Sequence, residues 1–408
     1  MKPRTNNLTH IALGELVDFR NGISFSATQM GRGIPMVGVA DFLQPILRTT
    51  QHLDRVDVAS GLPRSAYIQA DDLLFVRSNG SKELVGRAMR VLVVDEPTTH
   101  AGFTIRARPH NPDEWSEFLW QYFQSGIPLL LMRRFNGGTN ITNLSQDLLA
   151  ALPVPDIGAP GRSAFCAILR RWDSALLALH ELIILKRCMR DGLMQQFLTG
   201  RRRLPAFTKR VWKEVRLRDV TAESIKRNGT LLGADRVMAV TKTSGLRPMR
   251  EQTMADSLTR YKVVVPGGFA YNPMRINIGS IARSAFDHDV LVSPDYVVFE
   301  TLPAQLDPRF LDYSRRAHPW RQFMAAAGNG SVRVRIYYDD LGAIRLPLPE
   351  VAEQSAIADV LDAATREIDT LVRLRDAIAQ QKRGLMQKLL TGEIRVPTHE
   401  PATLGVTS

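Results

Sequence analysis

The chain has 408 residues, 44% of them hydrophobic and 23% charged, which leaves room for two globular domains and argues against wholesale disorder. A formal net charge of +12 and an isoelectric point near 10 suggest a polyanionic partner, nucleic acid before membrane. Cys166 and Cys188 alone cannot make a disulfide framework, no apolar run approaches the roughly 18–20 residues of a membrane span, and without a signal-like N-terminus the expected location is cytoplasmic.

In chain order, the first half opens on an alternation suited to a strand, His10-Ile11-Ala12-Leu13-Gly14-Glu15-Leu16. Short β-rich runs follow at 34–39, 73–77 and 90–94, separated by Gly, Pro, Asn and Asp, and then an aromatic-rich helical segment at 114–124. Ala151-Leu152-Pro153-Val154-Pro155 is an extended hinge, because proline fixes φ and disfavours helix at the residue before it. Beyond it Phe165, Leu169, Trp172, Leu176, Leu179 and Ile183 follow steps of 4, 3, 4, 3 and 4, the period of a coiled-coil seam. A helix over 163–200 is roughly 57 Å long at 1.5 Å per residue. Gly200, with Pro205 beyond, suits its C-terminal end.

The second half repeats this order. Lys213-Glu214-Val215-Arg216-Leu217-Arg218-Asp219-Val220 opens it, β-rich runs fall at 261–265, 276–281 and 295–300, and a helical segment covers 309–326. The hinge returns as Arg345-Leu346-Pro347-Leu348-Pro349, and the seam as Ile357, Leu361, Ala364, Ile368, Leu371 and Arg375, continuing to Ile378. Lys186 and Arg375 interrupt the seam on opposite copies, as a register device or a local exposure. Gly192-Leu193-Met194-Gln195-Gln196-Phe197-Leu198-Thr199-Gly200 comes back as Gly384-Leu385-Met386-Gln387-Lys388-Leu389-Leu390-Thr391-Gly392, at a constant offset of 192.

A repeat of that length duplicates a whole domain and a helix. Two copies in one polypeptide give approximate two-fold symmetry, as duplex DNA has when read at two half-sites. The expected fold is α+β: two globular domains in tandem repeat, separated by an antiparallel pair of long coiled-coil helices, with a pseudo-two-fold axis. Two amphipathic helices, each packed on its own domain, are the alternative.

Arginine, asparagine, serine and glycine gather in loops, where they can reach phosphates and base edges. Arg133 and Arg134 precede Asn136-Gly137-Gly138-Thr139-Asn140; Arg315, Arg316 and Arg321 precede Asn329-Gly330-Ser331-Val332-Arg333-Val334-Arg335, just upstream of the second hinge. Arg77-Ser78-Asn79-Gly80-Ser81-Lys82 follows a strand-like run, and Lys242, Arg247, Arg275 and Asn277 are candidates in the second domain. Solvated turns are the plain alternative for any of these. Arg201-Arg202-Arg203, with Lys209, Arg210 and Lys213, is a basic linker that touches phosphate or is simply solvated.

Catalytic signatures are missing. No Gly-Lys dipeptide offers a phosphate-binding loop. Asn272-Pro273-Met274 lacks the second proline and the aromatic of an amino-methyltransferase motif and reads as a turn. Asp295 and Glu300 lack the lysine of a restriction-type nuclease, and the eight histidines and two cysteines show no metal-ligand spacing. The expectation is binding rather than covalent chemistry, with no catalytic residue, no metal and no cofactor on this chain.

The order of these elements resembles the specificity subunit of Type I restriction–modification systems over essentially the whole chain: a domain, a hinge ending in Pro-x-Pro, a helix closing in Gly-Leu-Met-Gln-x-x-Leu-Thr-Gly, then the same again. Val351-Ala352-Glu353-Gln354-Ser355-Ala356-Ile357 is similar to the family's segment after the second Pro-x-Pro; the first copy departs, reading Ile157-Gly158-Ala159-Pro160-Gly161-Arg162-Ser163. The resemblance implies target-recognition domains at 1–150 and 208–345, each reading half of a split double-stranded DNA sequence. It implies hinge and spacer helices at 151–207 and 346–397, where two modification (methyltransferase) subunits dock, and a tail at 398–408. S-adenosylmethionine, ATP and Mg are then expected on the modification and restriction subunits. The competing readings are a coiled-coil scaffold that binds only proteins, and a diverged nuclease or methyltransferase.

Overall fold

The computed structural model describes residues 8–58, 61–81, 83–135, 143–242, 245–250, 253–328 and 335–395. The chain forms two compact units, one from 1–180 with 373–408 and one from 181–372. Both are mixed α+β.

In the first unit a five-stranded sheet runs in the order Val17–Asn21, Thr104–Pro109, Leu73–Val76, Ala88–Val91, Ile46–Leu47, antiparallel except for the last, parallel pair. Leu73–Val76 is buried on both faces. Side chains alternate along a strand, so Leu73 and Phe75 join one core with Phe118, Leu119 and Tyr122 of the helix Pro112–Gln124, while Leu74 and Val76 join another with Val37 and Met89. The second unit uses the same strand order for its four-stranded sheet: Thr221–Glu223, Val297–Thr301, Phe269–Tyr271, Ile281–Arg283.

Local sequence was misleading at four places. Leu13–Leu16 and Leu217–Val220, read as strand, are single helical turns. Residues three apart lie on one helical face, so the apolar pair of each turn is buried together, and an acid three places on takes the preceding N–H: Ala12 N donates to Glu15 and Arg216 N to Asp219, each at 3.3 Å. Residues 276–281 begin as a 3-10 turn, Ile276–Ile278, closing on Gly279 at φ +97°, so the strand starts only at Ile281. The helix expected over 309–326 is two, Pro308–Ser314 and His318–Gly328. Pro319 has no N–H to continue the first and suits the start of the second.

Each hinge is a strand. Pro153–Asp156 pairs antiparallel with Thr9–Ala12, and Arg345–Leu348 with Lys213–Arg216. Both are two-stranded ribbons, so their prolines sit on edges where a missing donor is tolerated.

The long helices span Gly158–Phe197 and Val351–Leu390, 40 residues each. The first begins five residues before the expected start, after Gly158 at φ +72°, whose N–H donates to Asp156 Oδ1 at 3.0 Å. Both end alike: Gly200 and Gly392 take φ of +69° and +74°, and Arg202 N and Ile394 N each close back at 3.1 Å, onto Gln196 O and Lys388 O. Phe165, Leu169, Ile183, Ile357, Leu361 and Ile368 are buried; Trp172, Leu176, Leu179, Leu371 and Ile378 are half-buried. In the first unit Phe165 and Leu169 share a core with Met386 and Leu389, and Lys382 donates to Asp173 at 2.6 Å. In the second, Met194 and Phe197 meet Ile357 and Leu361, and Lys186 pairs with Glu367 at 2.6 Å. Within each unit the two helical stretches therefore run antiparallel. Lys186 is a paired seam position, and Arg375 bonds its neighbour Asp376 at 2.7 Å.

Candidate nucleic-acid interface

The same backbone junction occurs in both units. In the first, the strand Leu73–Val76 leads into Arg77-Ser78-Asn79, and Leu144 N donates to Arg77 O at 2.7 Å beside a bridge between Ser78 and Asn143. In the second, the equivalent strand Phe269–Tyr271 leads into Asn272-Pro273, and Ile336 N donates to Pro273 O at 3.0 Å. Ile336 is 192 residues after Leu144. Each junction ties a strand connection to the segment that returns from an arginine-bearing helix. Arg133 and Arg134 end one such helix, Ile127–Phe135; Arg321 lies on the other, His318–Gly328. Arg275, Asn277 and Arg335 are exposed around the second junction. Lys82, Asn136, Thr139, Asn140, Asn329, Ser331 and Arg333 lie outside the described residues.

Beside its junction the second unit carries a groove of about 1220 Å³. Lys242 and Arg247 reach it from the hairpin Met238–Thr241 and Gly245–Pro248, Asn277 from the 3-10 turn, and Arg321 from its helix. Arg283, Arg315 and Arg316 also line it, so among the described residues six cationic side chains face one carboxylate, Asp312. That carboxylate is already shared: Arg315 Nε donates to Oδ1 at 2.7 Å and Arg316 Nη2 to Oδ2 at 3.3 Å. Burial presses the Arg315 guanidinium toward a lower pKa, and Arg283 Nε is buried with no hydrogen-bond partner among the described residues. A concave surface with this surplus of donors is suited to phosphate oxygens, with Arg and Asn able to reach base edges.

The first unit differs. Its junction borders two smaller concavities, of about 540 and 480 Å³, that share Phe25, Ser78 and Phe103. The larger is lined by Met30, Met36 and Asn79 with two carboxylates, Asp41 and Asp54; the smaller holds Arg77, Ser24 and Asn143. Burial raises the Asp41 pKa, opposed by the Gly38 N–H that donates to it at 2.8 Å. Acceptors and apolar surface dominate here rather than positive charge.

Sequence reading placed Arg315 and Arg316 in a basic cluster but gave no sign that they share Asp312, and it passed over Arg283 and Phe103. Arg283 closes a strand and Phe103 sits between two, where a lone side chain reads as core. Among the described residues no three histidine, cysteine or acidic side chains group as a metal site, and no helix is long and apolar enough to cross a membrane.

No protein-family model matches the sequence. A stretch of 71 residues is 41% identical to a type I restriction enzyme specificity subunit of Methanocaldococcus jannaschii, covering 17% of this chain and 17% of that protein's length. A solved structure described as bearing on complex assembly and conformational transition of the type I R-M system matches 95% of this chain and 99% of its own, at a TM-score of 0.54 and 14% identity. The chain resembles the specificity subunits of type I restriction–modification systems. At 14% identity the structural likeness establishes the fold, tandem α+β domains with long helices. The S subunit from M. genitalium is similar over 96% of this chain and 99% of its own, at a TM-score of 0.49 and 12% identity.

Proposed function

We propose that this chain is the DNA-reading subunit of a type I restriction–modification complex, each unit taking one half of a split duplex target. The observation that carries the reading is the junction Leu144–Arg77 and its counterpart Ile336–Pro273, two equivalent loop clusters whose donors Leu144 and Ile336 are 192 residues apart, one of them beside a groove lined by six cations among the described residues. Target recognition falls to 1–150 and 208–345, and the long helices set the unspecified spacer. Leu177, Leu185 and Met189 leave apolar surface exposed on the first helix, where modification subunits dock. Catalysis, with S-adenosylmethionine, ATP and Mg, belongs to two modification subunits and the restriction subunits. The complex works in the cytoplasm, where its duplex lies.

The test is binding of a target duplex by the chain assembled with its modification subunits, followed by fluorescence anisotropy across salt concentrations. Neutralising about 6–10 phosphates gives a log–log slope of several units. A flat salt response contradicts duplex binding.

A further inference from the structure

We propose that Phe103 reads a thymine in the first unit's half-site, packing on its C5-methyl group; this rests on the DNA-reading function above. Phe103 is 60% exposed although phenylalanine is usually buried. Its backbone has no slack. Ala101 N donates to Val37 O at 2.9 Å, Gly102 N to Ile23 O at 2.7 Å and Thr104 N to Ala101 O at 2.9 Å. The Phe103 carbonyl accepts from Arg77 N at 2.8 Å and Ser78 N at 3.4 Å, so the ring is carried on the junction itself. Gly22 passes so close that a Cβ there would lie 2.0 Å from Ala101 O. An aromatic held at the surface by this many backbone bonds is preorganised for contact.

The surroundings favour a base edge. Phe103 is common to both concavities, with Phe25, Met30 and Met36 continuing its apolar surface and Asn79, Asn143 and Arg77 at its rim. In the major groove thymine presents the one methyl group, beside polar edges that asparagine and arginine read. Asp41 and Asp54 disfavour phosphate on the apolar side, leaving Arg77 on the other flank for the backbone.

The experiment uses the chain assembled with its modification subunits and duplexes in which each thymine of the target is replaced in turn by deoxyuridine, which lacks only the methyl. At one position in the first unit's half-site the replacement weakens wild-type binding about fourfold, the worth of one buried methyl. Phe103→Ala loses affinity for the thymine duplex and no longer distinguishes the two, while Phe103→Leu, which keeps an apolar contact, still does. Undiminished sensitivity of Phe103→Ala to every replacement, unchanged affinity of that variant, or a half-site without thymine on either strand overturns the proposal. If the wild-type complex binds no duplex, the DNA-reading function itself fails.

Discussion

Arg203 grips Glu353 with two nitrogens, Nε at 2.6 Å and Nη2 at 2.8 Å, and Trp212 Nε1 donates to the same carboxylate at 3.1 Å. Glu353 is fully buried, and Arg203 Nη1 also donates to Arg210 O at 2.7 Å. The basic linker after the first long helix is thus partly a clamp onto the start of the second, and Arg203 is committed to that clamp rather than free for phosphate. Glu353→Ala takes the counter-ion from a largely buried guanidinium, which keeps only its backbone acceptors Arg210 O and Phe207 O, and takes the acceptor from the Trp212 indole N–H. We expect a loss of about 3–5 kcal/mol, measured by chemical denaturation of the second unit's signal. A loss below about 1 kcal/mol contradicts the clamp.

We expect charge in the second unit's groove to act on all duplexes alike. Arg247 and Arg321 are exposed there, so Arg247→Ala with Arg321→Ala weakens binding uniformly and lowers the salt slope by about 2, one for each phosphate contact. Asn277→Ala relaxes preference at one base pair instead, with the slope unchanged. Anisotropy on a panel of single-substitution duplexes separates the two effects.

The first unit carries an acid-labile element. His100 is 1% exposed. Thr104 Oγ1 gives its hydrogen to Ala101 O at 2.7 Å, so His100 Nδ1 donates to Thr104 Oγ1 at 2.9 Å and Nε2 is left buried with no partner among the described residues. Burial, with Arg106 nearby, lowers the imidazole pKa from 6.5 to about 3. The unfolded chain therefore binds the proton first, and stability present above pH 6.5 is lost as pH falls toward about 3. The slope is at most about 1.4 kcal/mol per pH unit. His100→Asn keeps a donor near Nδ1 and removes that slope; an identical pH profile for the variant contradicts the assignment.

The seam repeats in heptads, so seven residues added to both long helices preserve its phase. We expect such a chain to lengthen the unspecified spacer of the methylated motif and to leave both half-site sequences intact. A spacer that stays fixed contradicts the role given to the helices.

Much of the fold is local and was legible. The seam from Phe165 to Ile183, its return from Ile357, and the glycines at 200 and 392 are patterns of neighbouring residues, and the helices follow them. What depends on distant pairing was not. Nothing in Pro153-Val154-Pro155 says that Val154 will face Ile11, and nothing in 276–281 separates a strand from a turn until Gly279 takes a positive φ. The loops were legible as chemistry, not as a site. Arg77 and Leu144, or Pro273 and Ile336, are brought together by sheet topology alone, and the convergence of Arg283 with Arg315 and Arg316 depends on a strand end meeting a helix end.

The most direct test of the account is modified-base sequencing of host DNA with this gene deleted, its neighbours intact, and again with the gene restored carrying Arg247→Ala and Arg321→Ala. The account predicts that adenine methylation disappears at one split motif on deletion and returns weakened, with the motif unchanged, in the groove variant. A methylome that is the same with and without the gene contradicts the DNA-reading function.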